Sequence, residues 1–409
     1  MMLATMPGQT IFIAQFNASL RQTFGLSHGG FGGLYTIATL ASASLLVWAG
    51  TLIDRYSARR LAILSTAGLG LTALAMAGLS HVALLGIALG CLRFFGQGML
   101  AHIAMTTMAR WFHRFRGRAI SFAGLGYTFG EASLPFVITM AIAALGWRNV
   151  WVATACVLLA IVAPSLWFLL RDPPDGKRAL SSRAINPDAP ILQALTGHSW
   201  TRLAVLRDPL FYAIVFGIMA PPAIGTLFIF HQAHLSELKT WDLAMFTALF
   251  PFLSITTAGS SVLAGFLVDR FGAWRLMPMV LIPLGIGCLM IGTLQPQWAI
   301  PLIFISVGMT QGLTNPIVGS LWVEVYGTAH IGAIRALATA ALVAASAIGP
   351  GVAGYLIDAG IDLDLQAFGY AAYCGCSATV YLLLLPRFGE RVKAIDPGFK
   401  PHRTSDAQG

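Results

Sequence analysis

Charge is what this sequence has least of. Only 10% of its residues are Asp, Glu, Lys or Arg, against about 25% in a soluble domain. That scarcity excludes an ordinary water-soluble globule. Negative charge is scarcest, with 16 acidic residues against 25 basic ones. Cysteine is sparse too. Cys91, Cys156, Cys288, Cys374 and Cys376 all fall in apolar stretches. None has metal-ligand spacing, and Cys374-Gly-Cys376 lacks the spacing of a redox pair, so they read as small buried hydrophobes. No nucleotide loop, catalytic triad or metal pattern is present. The expectation is a protein that is not an enzyme and uses neither cofactor nor metal. A cleavable leader is not expected either, because the first apolar stretch has no basic n-region and no small-residue cleavage site. It reads as a first membrane helix.

What the chain does have is apolar length: 57% hydrophobic residues and a mean hydropathy of +0.75. Its 409 residues divide into about twelve spans of roughly 20 residues. We place them at 3–22, 31–52, 61–80, 83–107, 119–144, 150–170, 209–232, 243–266, 276–294, 298–322, 333–357 and 367–386. Residues 171–208 hold Pro173, Pro174, Pro187 and Pro190 among basic residues and read as a linker. Residues 191–206 are expected to form a short interfacial helix. The tail 387–409 is polar and is expected to be loose.

The chain is also written twice. Gly50-Thr-Leu-Ile-Asp54-Arg55-Tyr-Ser-Ala-Arg-Arg60 recurs as Gly265-Phe-Leu-Val-Asp269-Arg270-Phe-Gly-Ala-Trp-Arg275, and the same shift carries Pro135 onto Pro350 and Asn17 onto Gln232. A duplicated apolar chain is the form of a transporter built from two halves around a central site. The expected fold is therefore all-α: twelve transmembrane helices in two pseudo-symmetric six-helix bundles, residues 1–170 and 209–386.

Basic residues set the orientation. If the N-terminus is cytoplasmic, then of the 25 Lys and Arg residues only Arg21, Arg148 and Lys239 fall outside. Arg93 lies within a span, and all the others are inside. Both termini are then cytoplasmic, in the inner membrane. The net charge of +9 marks topology and contact with anionic lipids, not nucleic acid.

The duplicated loop resembles the signature of the major facilitator superfamily, G-x-x-x-D-R-x-G-x-R-R between the second and third helices. Ser57 stands where the family has Gly, and Trp274 replaces one basic residue of the second copy. Arg93-Phe-Phe-Gly96-Gln-Gly98 resembles the family's motif on the fourth helix. Trp111 to Ala119, with Gly146-Trp147-Arg148, resembles the monocarboxylate and oxalate/formate branches. The resemblance implies the two-bundle fold, with spans one, four, seven and ten lining a cavity. It also implies a gating role for Gly50, Asp54, Arg55, Arg60, Asp269, Arg270 and Arg275. An acidic–basic pair at a helix end bridges to a neighbour in one state and releases in another; the alternative is plain topology charge.

Arg93 and Glu131 are the charges deep in spans, at similar depth by the helical rise. Such residues are costly and usually functional. Either Arg93 binds an anionic solute while Glu131 carries a proton, or the two form a static ion pair. Gln97 follows Arg93 by one turn, Tyr127 precedes Glu131 by one, and Gln311 and Asn315 share a face on span ten. Asn17, Gln232 and His231 complete the polar candidates, each with helix–helix contact as its plain alternative. The function expected is secondary active transport of a small organic anion with proton coupling, by a monomer among membrane lipids. Efflux of amphipathic compounds and a non-transporting membrane scaffold are the alternatives.

Overall fold

The computed structural model describes residues 1–50, 52–111, 116–170, 200–327 and 331–395; the side chains of a few helical positions, Asp54 among them, lie outside that description. Most of the linker and the end of the tail therefore also lie outside it. Every described element is helical. Among the described residues, eleven helices are long and apolar enough to cross a membrane. We number the chain's segments α1 to α12. They are residues 3–24 (α1), His28–Ala49 (α2), Ala58–Ala77 (α3), Val82–Met108 (α4), Arg116–Leu145 (α5), Trp147–Leu169 (α6), Pro209–Phe230 (α7), Leu243–Phe271 (α8), Ala273–Thr293 (α9), Ala299–Tyr326 (α10), Ile331–Asp358 (α11) and Leu363–Ile395 (α12). Large apolar side chains stand outward, with Trp48 80%, Leu383 74% and Ile255 73% exposed. Such a surface suits lipid, not water.

Segment α1 is not one straight helix. It runs as a 3₁₀ turn Leu3–Gly8, a helical turn Thr10–Ile13, a 3₁₀ turn Ala14–Phe16 and a helix Asn17–Phe24. Pro7 removes a donor inside the first piece. Side chains add bonds to the main chain along α1: Thr5 Oγ1 donates to Met2 O at 2.7 Å and Gln15 Nε2 to Ile11 O at 2.9 Å. Irregular backbone at membrane depth survives where protein buries it, and Met6, Ile13 and Phe16 are fully buried. This interruption keeps the first expected span out of the set of long apolar helices.

Helix starts follow local chemistry. Ser27 caps α2 by accepting from Gly30 N at 3.0 Å, and Asp208 caps α7 by accepting from Leu210 N at 3.2 Å, with Pro209 in the first turn. The two copies of the Asp-Arg loop solve the same turn differently. Ser57 has φ −65° and caps α3 through its hydroxyl, which accepts from Arg60 N at 3.4 Å. Gly272, its equivalent, has φ +81°, which side chains adopt only under strain. The α9 amides of Ala273 and Trp274 then donate to the Glu324 carboxylate at 2.8 and 3.0 Å. So Ser57 substitutes a hydroxyl cap for a glycine turn.

By contacts the chain forms two compact units. Residues 1–187, 227–251 and 350–360 make the first; residues 188–226, 252–349 and 361–409 make the second. In the first, α3 packs along the start of α6, and Trp151 is fully buried with its ring 4.5 Å from Phe16 and 5.5 Å from Phe12. In the second, α9 packs along α12 and α10. Helix α12 does not stop at Pro386 as the polar tail suggested; it continues to Ile395. Arg391 is the reason. Its guanidinium grips Asp208 at 3.0 and 3.1 Å, stacks 4.1 Å over the Trp200 ring, and shares Asp208 with the Tyr326 hydroxyl at 2.8 Å.

Candidate functional site

The first unit holds a charged cluster built from α1, α2, α4 and α5. Arg93 begins a π-helical stretch, Arg93–Leu100, a form frequent at functional sites. It lies where α1 and α4 touch backbone to backbone. A Cβ on Gly8 would come within 2.2 Å of Leu92 O and 2.7 Å of Gly96 Cα, so only glycine permits this crossing. The crossing brings main-chain carbonyls of α1 to the guanidinium. Arg93 Nη1 donates to Gly8 O at 3.2 Å and to Thr10 Oγ1 at 3.1 Å. Thr10 Oγ1 is 2.6 Å from the Tyr35 hydroxyl, and the Tyr35 ring faces Arg93 at 5.2 Å. Arg93 is 3% exposed, and its Nε has no hydrogen-bond partner among the described residues.

Glu131 is buried on α5. Tyr127, one turn earlier, lies within electrostatic reach of Glu131, Arg93 and Tyr35. The Nη1 bonds of Arg93 go to neutral oxygens. Gln97 is exposed although Arg93 is buried. Such a cluster can hold an anion: a guanidinium with a free N–H edge, phenol and hydroxyl donors, and a nearby carboxyl group able to take up a proton.

The other polar candidates fall elsewhere. Asn17 Nδ2 donates to Phe230 O at 2.6 Å, tying α1 to the end of α7. His231 Nε2 is 2.9 Å from Pro350 O. Gln232 is 1% exposed, and both polar atoms of its carboxamide lack a partner among the described residues. In the second unit Gln311 sits near Gly225, its Nε2 3.9 Å from a Cβ placed there, and Asn315 is exposed. At the duplicated motif, Gly50 O meets His102 Nε2 at 3.2 Å, while Arg55, Arg60 in the first turn of α3, and Asp269 and Arg270 in the last turn of α8 are exposed. Arg275 donates to Phe271 O at 3.1 Å and lies over Trp274. Lys239, assigned to the outside from its charge, is only 2% exposed.

Sequence reasoning missed three groups. Glu324 caps α9, Asp208 and Arg391 clamp α12, and Asp358 accepts from His28 N and Gly29 N at 3.0 and 2.8 Å. Each acidic residue lies at or beyond the edge of an assigned span, where a charge reads as solvated.

With that geometry in place, the relationships are clear. The family model described as Major Facilitator Superfamily matches residues 1–392. No curated protein matches the sequence. The nucleoside transporter NupG, in a point-mutant form, aligns with TM-score 0.69 at 13% identity, covering 94% of this chain and 97% of that one. A bacterial homolog of the human lysosomal transporter Spinster, inward-facing and unoccupied, aligns with TM-score 0.67 at 14% identity, covering 98% and 97%. Its inward-facing occupied form gives 0.65 at 14%, covering 96% and 94%. At these identities the likeness is one of fold.

Proposed function

The chain belongs to the major facilitator superfamily, and from that premise we propose that it is a secondary active transporter moving a small organic anion with proton coupling. The observation that carries this reading is Arg93, a buried guanidinium held by neutral oxygens with its Nε–H unpartnered among the described residues. A cation so placed at membrane depth is costly unless an anion visits it. The resemblance of Trp111 to Ala119 to the monocarboxylate and oxalate/formate branches supports the same solute class. In this reading Arg93 anchors the solute, Tyr35 and Thr10 hold the guanidinium plane, and Glu131 takes and releases the proton. Access alternates between the two sides of the inner membrane by rearrangement around the site. The Asp54-Arg55 and Asp269-Arg270 loops act as gates. The protein works as a monomer with both termini in the cytoplasm.

The test is uptake of small carboxylates by proteoliposomes under an imposed pH gradient. Glu131→Gln should abolish proton-driven accumulation while solute exchange persists, since a carboxamide cannot carry a proton. Arg93→Lys should fail in both assays, because a point charge does not replace a planar fork on a carboxylate. A static ion pair predicts something else: both single variants express poorly, and Arg93→Gln/Glu131→Gln recovers yield and transport. A double variant that transports normally overturns the assignment.

A second reading, movement of amphipathic compounds, is favoured by one feature. An apolar cavity of about 510 Å³ opens between α1, α5 and α6, lined by Phe12, Phe129, Ile138, Val157, Ile161 and Leu166. Inhibition of carboxylate uptake by lipophilic cations, relieved by Ile138→Trp, would support it.

A further inference from the structure

The wall of the cavity between α1, α5 and α6 carries almost no polar chemistry. Among the described residues, Thr154 and Ser165 are the polar side chains that line its 510 Å³. Each hydroxyl gives its one proton to its own helix. Thr154 Oγ1 donates to Val150 O at 2.8 Å, and Ser165 Oγ donates to Ile161 O at 2.7 Å. The lining side chains therefore offer a bound molecule neither a charge nor a free donor. The cavity is open sideways. Phe129, Leu145, Val157, Ile161 and Leu169 line it and are exposed, so its rim continues the lipid-facing surface. Behind that rim Ile138 and Leu158 are buried. Along α6 the wall runs from Val150 to Leu169, about 28 Å at the helical rise. That is close to the roughly 30 Å of a bilayer's hydrocarbon layer. The wall from α1 consists of Leu3, Ala4, Pro7 and Phe12. These belong to the broken stretch in which Gly8 O and Thr10 Oγ1 hold Arg93. All these residues lie in the first compact unit.

We propose that the acyl chain of a bilayer phospholipid occupies this groove and braces the broken part of α1. The site goes beyond the transport reading and does not depend on the anion assignment. It gives to the membrane's own lipid the space that the second reading gives to a transported compound. Polarity selects the occupant. An apolar cavity stays dry, so water does not fill it. A lipophilic cation would meet no carboxylate among the lining residues. A hydrocarbon chain needs neither charge nor donor, and its headgroup stays outside the groove at the membrane surface. The driving force is contact. An empty groove leaves its lining atoms without partners on one side, and they forfeit dispersion energy. Between apolar surfaces in lipid, such packing is the main source of affinity. The contact matters most at α1. Gly8 meets α4 at Gly96 on one side, while the cavity lies against Leu3, Ala4 and Pro7 on another. A chain packed there steadies the segment that presents the Gly8 carbonyl and the Thr10 hydroxyl to Arg93.

The test is photolabelling of the full chain in lipid nanodiscs. The probe is a trace of phosphatidylcholine with a diazirine midway along one acyl chain. Labels are expected at exposed positions such as Ile255 and Leu383, and also at the buried Leu158. Ile138→Trp places an indole in the groove. Ala153→Trp does the same from an exposed wall position. Both should lose the Leu158 label and keep those at Ile255 and Leu383. If Ile138→Trp does not fold, Ala153→Trp decides. Saturating tetraphenylphosphonium should leave the Leu158 label in place; its displacement hands the cavity to amphipathic compounds and overturns the proposal. Labels confined to exposed positions overturn it as well. Bracing is read separately by amide hydrogen exchange in detergent. Added phosphatidylcholine should slow exchange across residues 3–13 of the wild type and leave Ala153→Trp unchanged. Wild-type exchange that ignores the lipid refutes the brace. None of these readouts requires transport, so failure of the anion reading would leave them intact.

Discussion

A carboxylate in this protein is worth what its partner makes of it. Arg93 and Glu131 stood out in the sequence because a charge inside an apolar run is costly. Glu324, Asp358 and Asp208 did not, because their partners are chiefly main-chain amides and residues far along the chain, which leave no local pattern. Glu324 lies two residues past an assigned span edge and Asp358 one residue past another, so a small boundary error turned two helix caps into ordinary loop charges. The caps have measurable consequences. Glu324→Ala strips two charge-assisted bonds from the start of α9 and should lower stability by about 2 kcal/mol, read as a fall in melting temperature in detergent, with Glu324→Gln losing less. Lys239 makes the opposite point. Its position in a loop suggested an accessible outer marker, yet its burial means that a cysteine placed there should label slowly.

At the scale of elements, apolar length located nearly every helix, and the duplicated motif located the turns between them. It did not reveal that α1 is broken or that the π-helical stretch starts at Arg93, since both depend on contacts between segments. Glycine at a crossing is the sharpest case. Gly8→Ala should displace α1 from α4 and cost both yield and transport, whereas Gly124→Ala, with nothing within 4 Å of its Cβ position, should match the wild type in both. The paired loops give a second contrast. Gly272→Ala must accommodate φ +81° and should cost about 1–3 kcal/mol. Ser57→Gly should cost only a few tenths of a kcal/mol, the usual difference between these two caps. Equal melting temperatures for the two variants would refute this account of the turn.

On the scale of the whole molecule, the two-bundle architecture was legible from the internal repeat and the scarcity of charge. The contact division was not: residues 227–251 and 350–360 belong with the first unit, because packing at helix ends need not follow chain order. Orientation rests on the basic-residue asymmetry, and labelling checks it. A cysteine at the exposed Arg148 should react in intact cells, and one at Lys177 only after permeabilisation; the reverse pattern would invert the topology. The clamp between Arg391 and Asp208 also sets where the chain tolerates being cut. A stop codon placed just ahead of Arg391 removes the guanidinium and strands a buried carboxylate beside Tyr326, so expression should collapse. One placed after Ile395 spares every described contact, and a reporter joined there should leave the yield of folded protein intact.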